Sequence, residues 1–273
     1  MAIELGKLGI WRHYSGVDAQ FAAEAEKLGY GAIWLGSSPS GDLSYVDDLL
    51  AATDSLVIAT GIVNIWQDEP ADIARVYERI VAKYPDRFLL GVGAGHPEAS
   101  KEYKKPYAAL VDYLDGLDAA GVPVAGRALA ALGPKVLELA GDRTAGAHPY
   151  LTTPEHTRGA RAVLGEGKLL APEQKVVLGT DAAEARAIGR KTVKFYLGLS
   201  NYVANLRKLG FTDEDVEGEG SDRLVDALAL HGDADTIATG VRAHLEAGAD
   251  HVNIQVLNED PWPAYRELAA ALR

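Results

Sequence analysis

Short apolar runs alternate with longer amphipathic segments along this whole chain, and that rhythm limits the fold more than any single motif. The runs fall at 5–11, 32–36, 56–65, 88–93, 124–132, 145–151, 175–178 and 251–257. Most are continuously apolar, which suits strands buried on both faces, as in a parallel sheet covered by helices. The segments between them carry helix signals. Asp18 is placed to cap a helix that stops at Gly29, and Pro70, Pro134 and Pro154 each stand where a first turn would begin. Eight strand–helix units in about 250 residues predict an α/β chain folded as a (β/α)8 TIM barrel rather than a doubly wound sheet.

The rhythm breaks once. About 70 residues separate the seventh run from the eighth, including an acidic stretch at 213–220. Helical patterning at 182–209, 223–231 and 235–247 predicts a helical insertion between strands seven and eight, at about 182–248, that caps the barrel mouth. No Pro/Gly/Ser-rich linker divides the chain, so residues 1–273 are read as a single domain.

Composition narrows the function. The chain has no cysteine, which removes disulfides, thiolate metal sites and a cysteine nucleophile. A formal net charge of −12 opposes general nucleic-acid binding, which needs a basic surface. No run approaches the ~20 apolar residues of a membrane span and no signal layout opens the sequence, so a cytoplasmic protein is expected.

In a barrel the chemistry belongs to the loops after the C-terminal ends of the strands. Those tips include Trp11-Arg12-His13, Gly36-Ser37-Ser38, Gly61-Ile62-Val63-Asn64, Gly93-Ala94-Gly95-His96-Pro97-Glu98, Leu132-Gly133-Pro134-Lys135 and His148-Pro149-Tyr150. Glycine recurs in them, which fits the floor of a planar cofactor site better than a nest of metal ligands, and no metal is expected. Gly91, Gly93 and Gly95 clear side-chain bulk so that something flat can approach the backbone. Gly133-Pro134-Lys135 runs from strand into helix with almost no loop, which turns the first N–H groups toward the mouth as an anion site; the plainer alternative is a tight turn. His13, His96 and His148 stand singly at tips, where each is either a hydrogen-bonded loop anchor or a site residue. His96, beside the glycines and ahead of Glu98, is the preferred acid/base or substrate-positioning group, with His13 and His148 behind it.

Longer stretches carry a resemblance. Ala25-Glu26-Lys27-Leu28-Gly29-Tyr30-Gly31-Ala32-Ile33-Trp34, Thr60-Gly61-Ile62, the segment 88–98 and the segment 240–250 resemble the bacterial luciferase-like superfamily of flavin and deazaflavin oxidoreductases. Gly-His-Pro-Glu, Ala-Leu-Gly-Pro-Lys-Val-Leu-Glu-Leu-Ala and Gly-Ala-His-Pro-Tyr-Leu-Thr-Thr-Pro-Glu-His are similar to its actinobacterial, coenzyme F420-dependent branch. The resemblance implies a flat ring in the barrel mouth, backed by a bulge on strand three with a non-proline cis peptide at Gly61–Ile62. It implies that Asn64 bonds the ring edge, that Ala94 and Gly95 line the cofactor site, and that Leu132, Gly133, Pro134 and Lys135 hold the phosphate tail. Ser37-Ser38 replaces an Asp-His pair of deazaflavin sugar-phosphate dehydrogenases, and His96 replaces their glutamate, so those proton-transfer roles do not carry over.

The resulting expectation is an F420-dependent oxidoreductase that moves a hydride between deazaflavin C5 and a small organic substrate. The alternatives are an FMN-dependent luciferase-like monooxygenase, or a non-catalytic flavin-binding protein. The resemblance also implies a homodimer through the helices after strands two and three, where Leu49, Leu50, Val76 and Tyr77 lie; core packing is the other account of those residues.

Overall fold

The computed structural model describes residues 3–95 and 105–273. Its strands are β1 (Leu8–His13), β2 (Ala32–Gly36), β3 (Val57–Gly61), β4 (Val63–Asn64), β5 (Phe88–Gly93), β6 (Arg127–Leu129), β7 (Gly146–Ala147), β8 (Leu169–Leu170), β9 (Glu173–Leu178), β10 (Ala229–Gly232) and β11 (Val252–Val256). The helices are α1 (Ala19–Lys27), α2 (Val46–Ala51), α3 (Pro70–Lys83), α4 (Pro106–Ala119), α5 (Pro134–Arg143), α6 (Pro154–Leu164), α7 (Ala182–Leu197), α8 (Ser200–Lys208), α9 (Asp213–Val216), α10 (Asp222–Leu228), α11 (Ala234–Glu246) and α12 (Trp262–Ala271).

All the named strand pairings are parallel, and neighbours run β11-β1-β2-β3-β5-β6-β7-β8. The ring closes because β8 and β9 are one strand interrupted at Ala171-Pro172. Its lower part bonds β7, with Ala171 N–H donating to the Ala147 carbonyl and Glu173 N–H to that of Pro149. Its other edge bonds β11 in register, Asn253 opposite Glu173. The result is a closed (β/α)8 TIM barrel. Strand alternation gives it two cores: Trp11, Ala32, Trp34, Val57, Ala59 and Leu89 fill the lumen, while Ile33, Leu35, Ile58, Phe88 and Leu90 face the helix layer.

Strand three breaks where the site begins. Ala59 pairs with Leu89 and Val63 with Val92, so Thr60, Gly61 and Ile62 oppose two residues of β5. The Thr60 hydroxyl fills the gap, donating to the Gly91 carbonyl (2.7 Å) and accepting from the Gly91 N–H (2.9 Å). The Gly61–Ile62 peptide is cis, as the resemblance implied.

Several boundaries differ from the sequence reading. Residues 124–126 form a 3-10 turn after Pro123, so the fifth strand shrinks to β6. β8 was not anticipated, because two leucines after a Gly-Glu-Gly-Lys turn carry no period. The segment 223–231 is not all helix: α10 ends at Leu228 and β10 pairs with β9, Ala229 opposite Lys175. The insertion keeps its own small core of Val193, Leu199, Leu206, Phe211, Leu224 and Val225, bordered by Leu132 and Tyr150 from the tips of the barrel. Leu49, Leu50 and Tyr77 are buried in the helix layer, so core packing accounts for them. No helix among the described residues is long and apolar enough to cross a membrane.

Candidate active site

A cavity of about 540 Å³ opens at the C-terminal mouth of the barrel, within the range of pockets that enclose drug-sized ligands. Its walls come from the tips of β1, β2, β3/β4, β5, β6 and β7, and from α7 and α8 of the insertion. Among its described lining residues there is no aspartate or glutamate, and Lys208 is the one charged side chain. In a chain of net charge −12, that makes the site a local exception to the global field.

Gly61, Ile62, Asn64, Ala94, Gly95, Leu132 and Gly133 all line the cavity. The Asn64 Oδ1 accepts from the Trp66 N–H (3.1 Å), which turns its Nδ2 toward Gly95. A Cβ on Gly95 would sit 2.9 Å from that nitrogen, and its φ of +61° is the left-handed region, so glycine is needed on both counts. The other two glycines of this run serve packing instead. A Cβ on Gly91 would lie 1.9 Å from the Thr60 carbonyl oxygen, and one on Gly93 would press against Ala130 and Ile62. Gly133 caps α5 with Pro134 at its first position, and Val136 completes the wall there. Pro134 and Lys135 are exposed and lie outside the cavity lining.

The three histidines separate. His96 lies outside the described residues. His13 is exposed, bonds Ser15 through Nδ1 and stacks on Tyr14 (4.8 Å between centroids), away from the cavity. His148 is 2% exposed and lines the cavity floor. Its Nδ1 meets the Ala171 carbonyl oxygen at 2.7 Å, and its ring stacks on Trp34 at 4.1 Å. Burial holds its pKa down at about 4, so the ring is neutral at neutral pH.

The sequence reading missed the aromatic wall and the insertion's contribution. Tyr150, Tyr196 and Tyr202 face the cavity, with Tyr196 donating to the Tyr150 hydroxyl (2.9 Å) and Tyr150 to Gln255 Oε1 (3.0 Å). Burial raises all three phenols, Tyr196 to about 12, so they stay protonated. Beneath Tyr150 lies an ion pair with no exposed side-chain surface: Lys175 Nζ is 2.8 Å from Glu173 Oε2 and 3.8 Å from the Tyr150 ring centroid. Desolvation raises the Glu173 pKa and lowers that of Lys175, each opposed by the partner's charge. From α8, Asn201, Asn205 and Lys208 line the cavity at helical spacing. A polar helix face ordinarily reads as solvent-exposed, so nothing local marked it. Among the described residues, no group of three or more His, Cys, Asp or Glu is placed to hold a metal ion.

With the site in view, comparison with known proteins is direct. Residues 18–126 match the family model of luciferase-like monooxygenases. Solved structures agree over the full length. An F420-dependent secondary alcohol dehydrogenase in complex with an F420-acetone adduct superposes with a TM-score of 0.77 at 15% identity, covering 98% of this chain and 99% of that one.

The likeness to the luciferase-like family covers residues 18–126, and the chain as a whole shares the fold of that solved structure.

Two further structures share this fold. Coenzyme F420-dependent tetrahydromethanopterin reductase from Methanopyrus kandleri gives a TM-score of 0.67 at 16% identity, covering 98% of each chain. The oxygenating constituent of 3,6-diketocamphane monooxygenase from Pseudomonas putida, in complex with FMN, gives 0.66 at 16% identity, covering 97% of this chain and 96% of that one. No curated protein matches this chain by sequence.

Proposed function

We propose that the chain is an F420-dependent oxidoreductase that transfers a hydride between the deazaflavin and a small organic substrate. The carrying observation is the cavity at the mouth, whose described lining holds no carboxylate and which is floored by the Gly61–Ile62 bulge and edged by Asn64, Gly95 and Gly133. The residues fit the group. The Gly61–Ile62 bulge offers a backbone face for a flat ring, and the Asn64 Nδ2 is turned to meet a carbonyl on its edge. Gly133 at the start of α5 and Lys208 suit an anionic tail, through the helix dipole and a point charge. Bound deazaflavin supplies a ring carbon that takes up or gives a hydride. The protein orients both partners and excludes water with the tyrosine wall and α8.

A second reading, an FMN-dependent monooxygenase, is favoured by the family match and by the FMN-bound relative. Titrating the protein separately with F420 and FMN, followed by fluorescence, tests both. Saturable F420 binding at micromolar concentration is expected. FMN binding with oxygen uptake by the reduced complex would move the assignment to the second reading. No binding of either at tens of micromolar would overturn both.

A further inference from the structure

A histidine behind the cavity wall has chemistry that nothing above uses. His156 stands in the first turn of α6, is 7% exposed and does not line the cavity. It reaches across to the turn between β6 and α5, where its Nε2 lies 2.8 Å from the Leu132 carbonyl oxygen. That oxygen only accepts, so the imidazole hydrogen sits on Nε2 and Nδ1 is a lone pair. Burial lowers the pKa of the ring, which is therefore neutral at neutral pH. Nδ1 is buried and has no hydrogen-bond partner among the described residues, a cost that a leucine in this place would not carry.

The bond fixes a peptide. Among the described residues the one cis bond is Gly61–Ile62, so Leu132–Gly133 is trans, with its C=O and N–H pointing in opposite directions. Drawing the Leu132 oxygen toward α6 thus turns the Gly133 N–H away from α6. Leu132 and Gly133 both line the cavity, and the space at Gly133 is open, since a Cβ there would meet nothing within 4 Å. The Gly133 N–H makes no backbone hydrogen bond among the described residues, and Pro134 after it has no N–H to offer.

The start of α6 is itself held. The Gln174 amide donates to the carbonyls of Lys175 (2.9 Å) and Leu228 (3.2 Å), which leaves its oxygen to accept from His244 Nε2 (2.9 Å). His244 Nδ1 then accepts from the Thr157 hydroxyl at 2.8 Å. A chain of hydrogen bonds with determined polarity therefore runs from β9 and the end of α10, through α11, to the residue next to His156. A buried network satisfied in this way rigidifies what it joins.

We propose that His156 is a positioning residue for the anion site at the mouth: it holds the Leu132–Gly133 peptide so that the Gly133 N–H is presented to the anionic tail of the cofactor, an assignment that rests on the oxidoreductase reading for the identity of the anion. Without the Nε2 donor the Leu132 carbonyl loses its partner, and the peptide can rotate and take the Gly133 N–H with it.

The test compares ligands with and without a tail. F420, and the deazaflavin that keeps the ring and ribityl chain but lacks the phosphate, are titrated by fluorescence into the wild type, His156→Leu and His156→Gln. Glutamine restores an N–H donor at similar reach. His156→Leu should lose about tenfold in F420 affinity, as expected for one charge-assisted hydrogen bond, and keep its affinity for the tail-less compound within about twofold. His156→Gln should recover most of the loss. Equal weakening of both ligands, the mark of a merely structural role, or unchanged F420 affinity in His156→Leu would overturn the proposal. If His156→Leu does not fold, His156→Met makes the same comparison. Should the wild type bind neither F420 nor FMN, the cofactor assignment fails, and NMR with inorganic phosphate still decides the role of His156. The Gly133 amide resonance should move with phosphate in the wild type and in His156→Gln but not in His156→Leu. Equal movement in all three, or none in the wild type, would overturn it.

Discussion

The barrel holds a fully buried imidazole near each end of its lumen, and the two are finished differently. At the N-terminal end, His251 Nδ1 meets the Gly6 carbonyl oxygen at 2.7 Å and Nε2 meets Asn253 Oδ1 at 2.9 Å. At the C-terminal end, His148 spends Nδ1 on Ala171 and leaves Nε2 bare. One carbonyl links them, since Asn253 Nδ2 also donates to Ala171 (3.4 Å). Equal residue type and equal burial thus give an imidazole with polar neighbours at both ring nitrogens at one end and at one ring nitrogen at the other. The contrast separates a histidine tied into the strand ends around it from one held by a single backbone bond and a stacked indole.

The largest effect should come from the ion pair under the floor. Lys175→Met strands Glu173 in the lumen and should cost about 3–5 kcal/mol in chemical denaturation, with most of it regained in Glu173→Gln/Lys175→Met. A small loss in the single variant would mean that Glu173 reaches water.

Acid should act on both imidazoles. Burial lowers the pKa of each, that of His148 to about 4, so the unfolded chain takes up protons first. The stabilisation from each is complete above an unfolded pKa near ~6.5 and is lost as pH falls below it, for His148 toward about 4 and on the order of 3 kcal/mol. Denaturation midpoints measured across that window check the sign, and a flat profile would contradict it.

Next comes packing at the N-terminal end. A Cβ on Gly9 would lie 2.3 Å from His251 Nε2, so Gly9→Ala should cost about 1–3 kcal/mol in stability. The same change at Gly133 meets nothing within 4 Å and should stay within about 0.5 kcal/mol. Smallest of all, Lys208→Ala should leave the melting temperature almost unchanged while weakening F420 several-fold in a fluorescence titration. Unchanged affinity would remove Lys208 from the tail site.

The barrel was legible because both-face burial leaves continuous apolar runs. In Ile33-Trp34-Leu35 the middle residue fills the lumen while its neighbours face the helices. The cis Gly61–Ile62 bond came from resemblance alone, and the Thr60 hydroxyl clasp that bridges the bulge was not read at all. Asn64, Gly95 and Gly133 were found as glycine-rich or polar strand ends. The face of α8 escaped because Asn201, Asn205 and Lys208 look like a solvated helix until the insertion folds over the mouth.

The most direct measurement is a crystal structure of the protein soaked with F420. The account predicts the deazaflavin ring flat against Gly61–Ile62, its edge on Asn64 and its anionic tail at Gly133 and Lys208. A ring bound outside the mouth, or an empty cavity at saturating F420, would contradict it.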